Sequence, residues 1–156
     1  MREKRIRMPD SGNDTAQRGL LTQLAVAQKL VERGYEVLQP LGVHLRYDLA
    51  YSVSVSDSID TTIRQEARLI RIQCKTARIS NDQSYLNFNT CNMTGGRKER
   101  RSYREDVEYF GVYSPDTGKV YLIPVEVVPE IEAYLRLKPT KNNQEKRIVW
   151  AKDYEL

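Results

Sequence analysis

Residues 69–76 read Leu-Ile-Arg-Ile-Gln-Cys-Lys-Thr. Apolar and polar side chains alternate, the pattern of a β-strand whose successive side chains point to opposite faces. Ile70, Ile72 and Cys74 fall on one face, and Arg71, Gln73 and Lys75 on the other. The first set suits a core. The second puts a neutral oxygen ligand and an ammonium one pleat repeat apart. In the centre of a sheet both faces are covered, so a buried lysine needs a partner.

The preceding strand offers one. Tyr47, Leu49, Tyr51, Val53 and Val55 alternate with Asp48, Ala50, Ser52 and Ser54, again with a period of two. If the two segments pair as a hairpin, Asp48 comes up to Gln73 and Lys75. A carboxylate beside a side-chain carbonyl oxygen suits a hard cation such as Mg²⁺. A lysine nearby can orient or deprotonate a water, or stabilise charge on a phosphate. Together these groups are equipped for metal-assisted phosphodiester hydrolysis. The same residues also fit a plainer structure, with a cross-strand ion pair between Asp48 and Lys75 and a satisfied core amide at Gln73.

Upstream, the spacing predicts a helix that begins near Ser11, Asp14 and Thr15, which offer capping oxygens, and stops at Gly34. Leu20, Leu24, Ala27 and Val31 form an apolar stripe, which Leu30 widens. Gln23 lies at the edge of that stripe. It is either a boundary residue with an exposed tip or an amide turned toward the site, where it could hold a water or a metal-bound ligand. Tyr35–Gln39 reads as a short strand ending at Pro40, and Ser56–Glu66 as a long polar turn. Downstream, Ala67–Ala77 and Tyr85–Asn89 read as strands and Gly95–Arg104 as a basic loop. Val107–Tyr113 and Lys119–Val125 form a hairpin around Ser114-Pro115-Asp116-Thr117-Gly118. Pro129–Leu137 reads as a short helix and Arg147–Leu156 as a last strand containing Trp150. One helix followed by strands predicts an α/β (α+β) fold, with a mixed central β-sheet and the N-terminal helix packed on it. Residues 1–13 form a basic arm and residues 14–156 a single domain.

Composition narrows the function. The chain has 156 residues, 40% hydrophobic and 29% charged, enough for one domain with a real core. A disordered tail, a collagen-like chain and a coiled-coil rod are excluded. No stretch approaches the ~18 apolar residues of a membrane helix. The opening MREKRIRMPD is charged and leads into no apolar run, so neither a secretory signal nor a membrane partner is expected. Two cysteines and one histidine make a disulfide framework or a structural zinc site a poor fit and point to a reduced, cytoplasmic compartment. The net charge is only +4, but it is clustered. Residues 1–7 carry +3, from Arg2, Lys4, Arg5 and Arg7 against Glu3. Residues 97–104 carry +4, from Arg97, Lys98, Arg100, Arg101 and Arg104 against Glu99. Such clusters neutralise phosphates, or else they are a solvated loop and a frayed terminus. Tyr103, beside the second cluster, is the tyrosine placed to stack on a base. Arg71 either binds the scissile phosphate or is surface.

Asp48, then Gln73-Cys74-Lys75, resembles the PD-(D/E)XK nuclease superfamily in its variant with Gln before X-Lys. Arg18-Gly19-Leu20-Leu21-Thr22-Gln23, Gly34-Tyr35, Pro40-Leu41-Gly42, Tyr47-Asp48-Leu49 and Ile72-Gln73-Cys74-Lys75-Thr76 are similar to the small homing endonucleases encoded by group I introns in cyanobacteria. The likeness runs from about Arg18 to Pro124. It implies a restriction-endonuclease-like core and a homo-oligomer, dimer or tetramer, that cuts double-stranded DNA with Mg²⁺ or another divalent cation. Asp48 would be a metal ligand, Gln73 would replace the second acidic residue as a ligand, and Lys75 would be the motif lysine. The helix position held by Gln23 is Glu in most of the family, so one negative charge is missing here. Either the chain is an inactivated form or Asp48 and Lys75 work with another carboxylate. A Holliday-junction resolvase, a restriction-type enzyme and a non-catalytic DNA-binding module share the same fold expectation.

Overall fold

The computed structural model describes residues 15–42, 44–55, 66–94, 99–139 and 146–156, leaving aside the side chains of Val55, Glu66, Met93, Thr94 and Glu99. The basic arm, Ser11 and Asp14, Gly95, Gly96, Arg97 and Lys98, and all of the polar turn except Glu66 lie outside this range. Glu66 itself begins a strand.

A helix, α1 (Thr15–Glu32), is followed by β1 (Val37–Leu38), β2 (Leu49–Val55) and β3 (Glu66–Thr76). With β8 (Tyr109–Ser114) and β9 (Lys119–Pro124) these strands make a five-stranded sheet in the order β1-β2-β3-β8-β9. All neighbours are antiparallel except β3 and β8, so the sheet is mixed and β3 is its middle strand. The alternation in residues 69–76 sorts as expected. Ile70 and Ile72 face α1, where they pack with Val26, Leu30, Leu49, Tyr51 and Val120. Phe110 and Val112, which pair with Gln73 and Lys75, belong to the core on the other side.

That second core is closed by another sheet, which makes the molecule three layers deep. Its order is β11-β10-β5-β4, from β4 (Arg78–Ile79), β5 (Tyr85–Asn89), β10 (Glu132–Arg136) and β11 (Val149–Trp150). Leu86, Phe88, Ala133 and Leu135 face Phe110, Val112 and Ile123. Between β5 and β8 the chain forms a separate hairpin, β6 (Cys91–Thr94) with β7 (Glu99–Ser102).

Four expectations are corrected. Residues 129–137 hold a strand, β10. Glu, Ala, Leu and Arg favour helix, but a helix this short nucleates poorly, and burial alternates with Ala133 and Leu135 inside. The basic segment is a strand over Glu99–Ser102. The last strand shrinks to Val149–Trp150, followed by a 3-10 turn (Ala151–Asp153), after which Leu156 N–H reaches the Val120 carbonyl at 3.0 Å.

The helix is also rotated from its expected register. Thr22, Val26 and Leu30 are its buried residues, whereas Leu20, Leu24 and Val31 are 54–61% exposed. Thr22 can be inside because its hydroxyl meets that of Thr76 at 2.6 Å. Val26 can sit close because the facing strand position is Gly111, where a Cβ would fall 2.7 Å from Val26 Cγ1. Burial of Val26 and Leu30 stabilises the packing by about 1.5–3 kcal/mol each. Gly34 ends the helix at φ +85°, a conformation that favours glycine.

Candidate active site

The site forms where β2 begins and β3 runs on past it. The last β2–β3 pair toward this end is Leu49 with Ile72. Asp48 N–H donates to the Ile72 carbonyl at 2.9 Å, which leaves the Asp48 side chain beside Gln73. Its Oδ2 accepts from the Cys74 backbone N–H at 2.7 Å and from Gln73 Nε2. On its β2 flank, β3 therefore has a carboxylate where another strand residue would have been. Burial pushes the Asp48 carboxyl above its ordinary value, and the Cys74 N–H, the Lys75 charge and the Gln73 amide oppose that shift.

Lys75 shares the face of Gln73 and Asp48. Its Nζ is 3.4 Å from the Cys91 carbonyl and 4.5 Å from the centre of the Tyr103 ring. Burial lowers the Lys75 ammonium below the usual lysine value, and the Asp48 charge partly offsets this. Among the described residues Asp48 and Lys75 feel each other's field without closing to an ion pair. The Asp48–Lys75 ion pair of the plainer structure is not closed, while its satisfied Gln73 amide is present, bonded to Asp48. Cys74 packs on the α1 side, and burial pushes its thiol well up.

Among the described residues no three His, Cys, Asp or Glu side chains come together as a metal cage, so a hard divalent cation here would rest on one carboxylate, one amide oxygen and water. Asp48 supplies a partly desolvated carboxylate and Gln73 a side-chain carbonyl oxygen, both on the face that holds Lys75. Mg²⁺ is commonly held by one or two carboxylates, the rest of its shell coming from water and phosphate. Beside the site a groove of about 440 Å³ is lined by Lys75, Thr76, Arg78, Asn87, Asn89 and Asn92 among others. Its lining is mostly polar, with the Glu132 carboxylate as well as the Lys75 and Arg78 cations.

The other residues singled out from the sequence are placed less simply. Arg71 is bound to Glu108, with Nη2–Oε1 at 2.8 Å and its backbone N–H on Oε2 at 2.7 Å. That hydrogen bonding raises the Arg71 guanidinium still further. Arg104 lies 3.3 Å from Glu130 and donates to the Val128 carbonyl. Arg100 is exposed, and Arg101 is 63% exposed with only a 3.7 Å approach to Asp106. Tyr103 is 5% exposed and belongs to the core, so it offers no open ring to a base. Gln23 is half-buried on α1, which lies across the sheet from Gln73 and Lys75. No described hydrogen bond joins it to them.

Sequence reasoning missed Arg46 and Asp106. Arg46 Nε donates to Asp106 Oδ2 at 2.6 Å, and Arg46 Nη2 to the Ser102 carbonyl at 2.8 Å. The Arg46 guanidinium also lies 4.7 Å from the Tyr103 ring centre. No local pattern marks these residues, since they are 60 positions apart.

A sequence profile of the PD-(D/E)XK endonuclease family matches residues 13–156. The fold is similar to the solved structure of a bacterial homing endonuclease, I-Ssp6803I, with a TM-score of 0.66 and 21% identity over 92% of this chain and 89% of that one. No curated protein sequence matches the chain.

Proposed function

Because the chain belongs to the PD-(D/E)XK endonuclease family, we propose that it is a divalent-metal-dependent endonuclease of double-stranded DNA, acting as a site-specific homing enzyme. The observation that carries this reading is the meeting of Asp48, Gln73 and Lys75 on one face of β3, beside a polar groove. Asp48 and the Gln73 carbonyl oxygen would hold the cation. When bound, Mg²⁺ or a similar ion supplies charge stabilisation at the scissile phosphate and a more acidic water. Lys75 holds its ammonium beside Asp48, where it can orient the attacking water or stabilise charge on the phosphate as a P–O bond breaks. The likeness to a homing endonuclease supports the more specific role.

We read the working unit as a homo-oligomer, dimer or tetramer. A chain this small reaches a long DNA site most readily through symmetric copies, and the outer face of α1 exposes Leu20, Leu24 and Val31.

The test is cleavage of a random-sequence duplex library with Mg²⁺, run beside four-way junctions. Wild-type protein should cut linear duplex. Lys75→Ala and Asp48→Ala should each lose roughly a hundredfold or more in rate, the scale of removing a general acid–base group, while still binding DNA. Near-parental cutting by either variant would remove that residue from the site. Preference for junctions would make the enzyme a resolvase, and no cutting under any divalent cation would leave only a DNA-binding module.

A further inference from the structure

Lys75 has a long flexible stem, and among the described residues no carboxylate closes to an ion pair with its ammonium. Two groups from the β6–β7 hairpin hold it instead. The Cys91 carbonyl, where β6 begins, is 3.4 Å from Nζ, long for a hydrogen bond. The Tyr103 ring, directly after β7, has its centre 4.5 Å from Nζ. A cation within about 6 Å of an aromatic centre is drawn to the ring face, more strongly where water is excluded.

The ring is itself fixed. Phe110 packs edge-on against it, with centres 6.0 Å apart and planes at 86°. Arg46 lies over it at 4.7 Å and is tied down by Asp106 and by the Ser102 carbonyl. Asp106 also offsets the charge of Arg46, which would otherwise repel Lys75 across the same ring. Tyr103 is therefore contacted by Phe110 and Arg46 while the Lys75 ammonium lies over its ring.

We propose that Tyr103 is a positioning residue for Lys75: its ring, pinned by Phe110 and by the Arg46–Asp106 pair, fixes the ammonium beside Asp48 and Gln73. The catalytic consequence rests on reading Lys75 as the active lysine; the ring–ammonium approach itself does not. It also ties the β6–β7 hairpin, which carries part of the basic run, to the reaction centre through the Tyr103 ring and the Cys91 carbonyl.

Two substitutions separate the ring from the hydroxyl. Tyr103→Phe keeps the ring face and Tyr103→Leu removes it. Single-turnover cleavage at saturating DNA, DNA affinity by fluorescence anisotropy and the Lys75 ε-methylene resonance in ¹³C-lysine-labelled protein, assigned by its loss in Lys75→Arg, are measured together. In wild type and Tyr103→Phe the resonance should be shifted upfield by the ring current, and in Tyr103→Leu it should return to the position of exposed lysines. Tyr103→Phe should cleave within about threefold of wild type. Tyr103→Leu should lose roughly tenfold to a hundredfold in rate, the scale of a small misplacement of a reacting group, with DNA affinity unchanged. A wild-type resonance without the shift overturns the proposal and needs no variant to fold. Full activity in Tyr103→Leu, or an equal loss in Tyr103→Phe, also overturns it. A wild-type protein that shows the shifted resonance but never cuts DNA would instead overturn the nuclease reading.

Discussion

Gln23 stands one residue beyond Thr22, whose hydroxyl meets that of Thr76 at 2.6 Å. This hydrogen bond brings the N-terminal half of α1 to the end of β3 where the site forms. The helix lies across the sheet from Lys75, and beyond the last β2–β3 pair the flank of β3 is taken by Asp48, whose Oδ2 accepts from the Cys74 N–H. No described hydrogen bond joins Gln23 to Asp48, so whether position 23 feels the cation is what a charge placed there would measure. Asp48 is the carboxylate assigned to the cation, and Gln73 adds only a dipole. Gln23→Glu adds a charge at nearly constant volume. Its attraction should amount to about 1–4 kcal/mol between water-like and surface-like dielectrics, or about fivefold to a thousandfold in rate or affinity. Side-by-side Mg²⁺ titrations of cleavage and of calorimetric binding check this, and the Glu variant should be better in both. A variant that is no more active and binds metal no better would mean that position 23 does not face the cation.

At the scale of elements, β7 carries the described residues of the basic run that are least engaged with other groups of the chain. Arg100 is exposed and Arg101 is only loosely held by Asp106 at 3.7 Å. Arg104 and Arg71 are engaged with Glu130 and Glu108. Replacing Arg100 and Arg101 with Gln should weaken DNA binding and flatten its salt dependence by about 0.9 in the log–log slope for each phosphate no longer neutralised. Arg71→Gln should change the slope less. An unchanged slope in the double variant would assign the hairpin to solvent or to another copy of the chain. The strands that bring Asp48, Gln73 and Lys75 together were legible because β2 and the run from Ile70 to Lys75 alternate, and a period of two fixes which side chains share a face. The α1 register was not, because hydrophobicity favoured Leu20 and Leu24 over Thr22. Only the distant Thr76 hydroxyl and the space at Gly111 explain why a threonine and Val26 are inside. β10 was misread for a related reason. Its residues favour helix one by one, and its pairing with β5 decides otherwise. In the site, Asp48, Gln73 and Lys75 could be grouped from spacing, whereas Tyr103, Arg46 and Asp106 are joined only by the folded chain.

For the molecule as a whole, the rotation of α1 leaves an apolar seam facing outward. Leu20, Leu24, Ala27 and Val31 follow one another by four, three and four residues, the spacing with which one helix packs along another. Ala27 is half-buried, while Leu20, Leu24 and Val31 are 54%, 58% and 61% exposed. Among the described residues, Thr22, Val26 and Leu30 bind the helix to its own sheet, with Ala27 packed at the edge of that core and Leu20, Leu24 and Val31 left exposed. A second copy of the same helix across a two-fold axis would cover the seam, since each seam then serves as the other's partner. Full burial of a leucine side chain is worth about 1.5–3 kcal/mol, and a charge placed there would oppose association without touching the core. Leu20→Glu with Leu24→Glu should therefore convert an oligomer to an 18.1 kDa monomer in sedimentation equilibrium at micromolar concentration. Its circular dichroism spectrum should match that of the parent. The monomer should also bind long duplex DNA less tightly, because linked copies raise each other's effective concentration on the target. A parent chain that sediments as a monomer, or a double variant of unchanged mass, would show that this seam does not join copies of the chain.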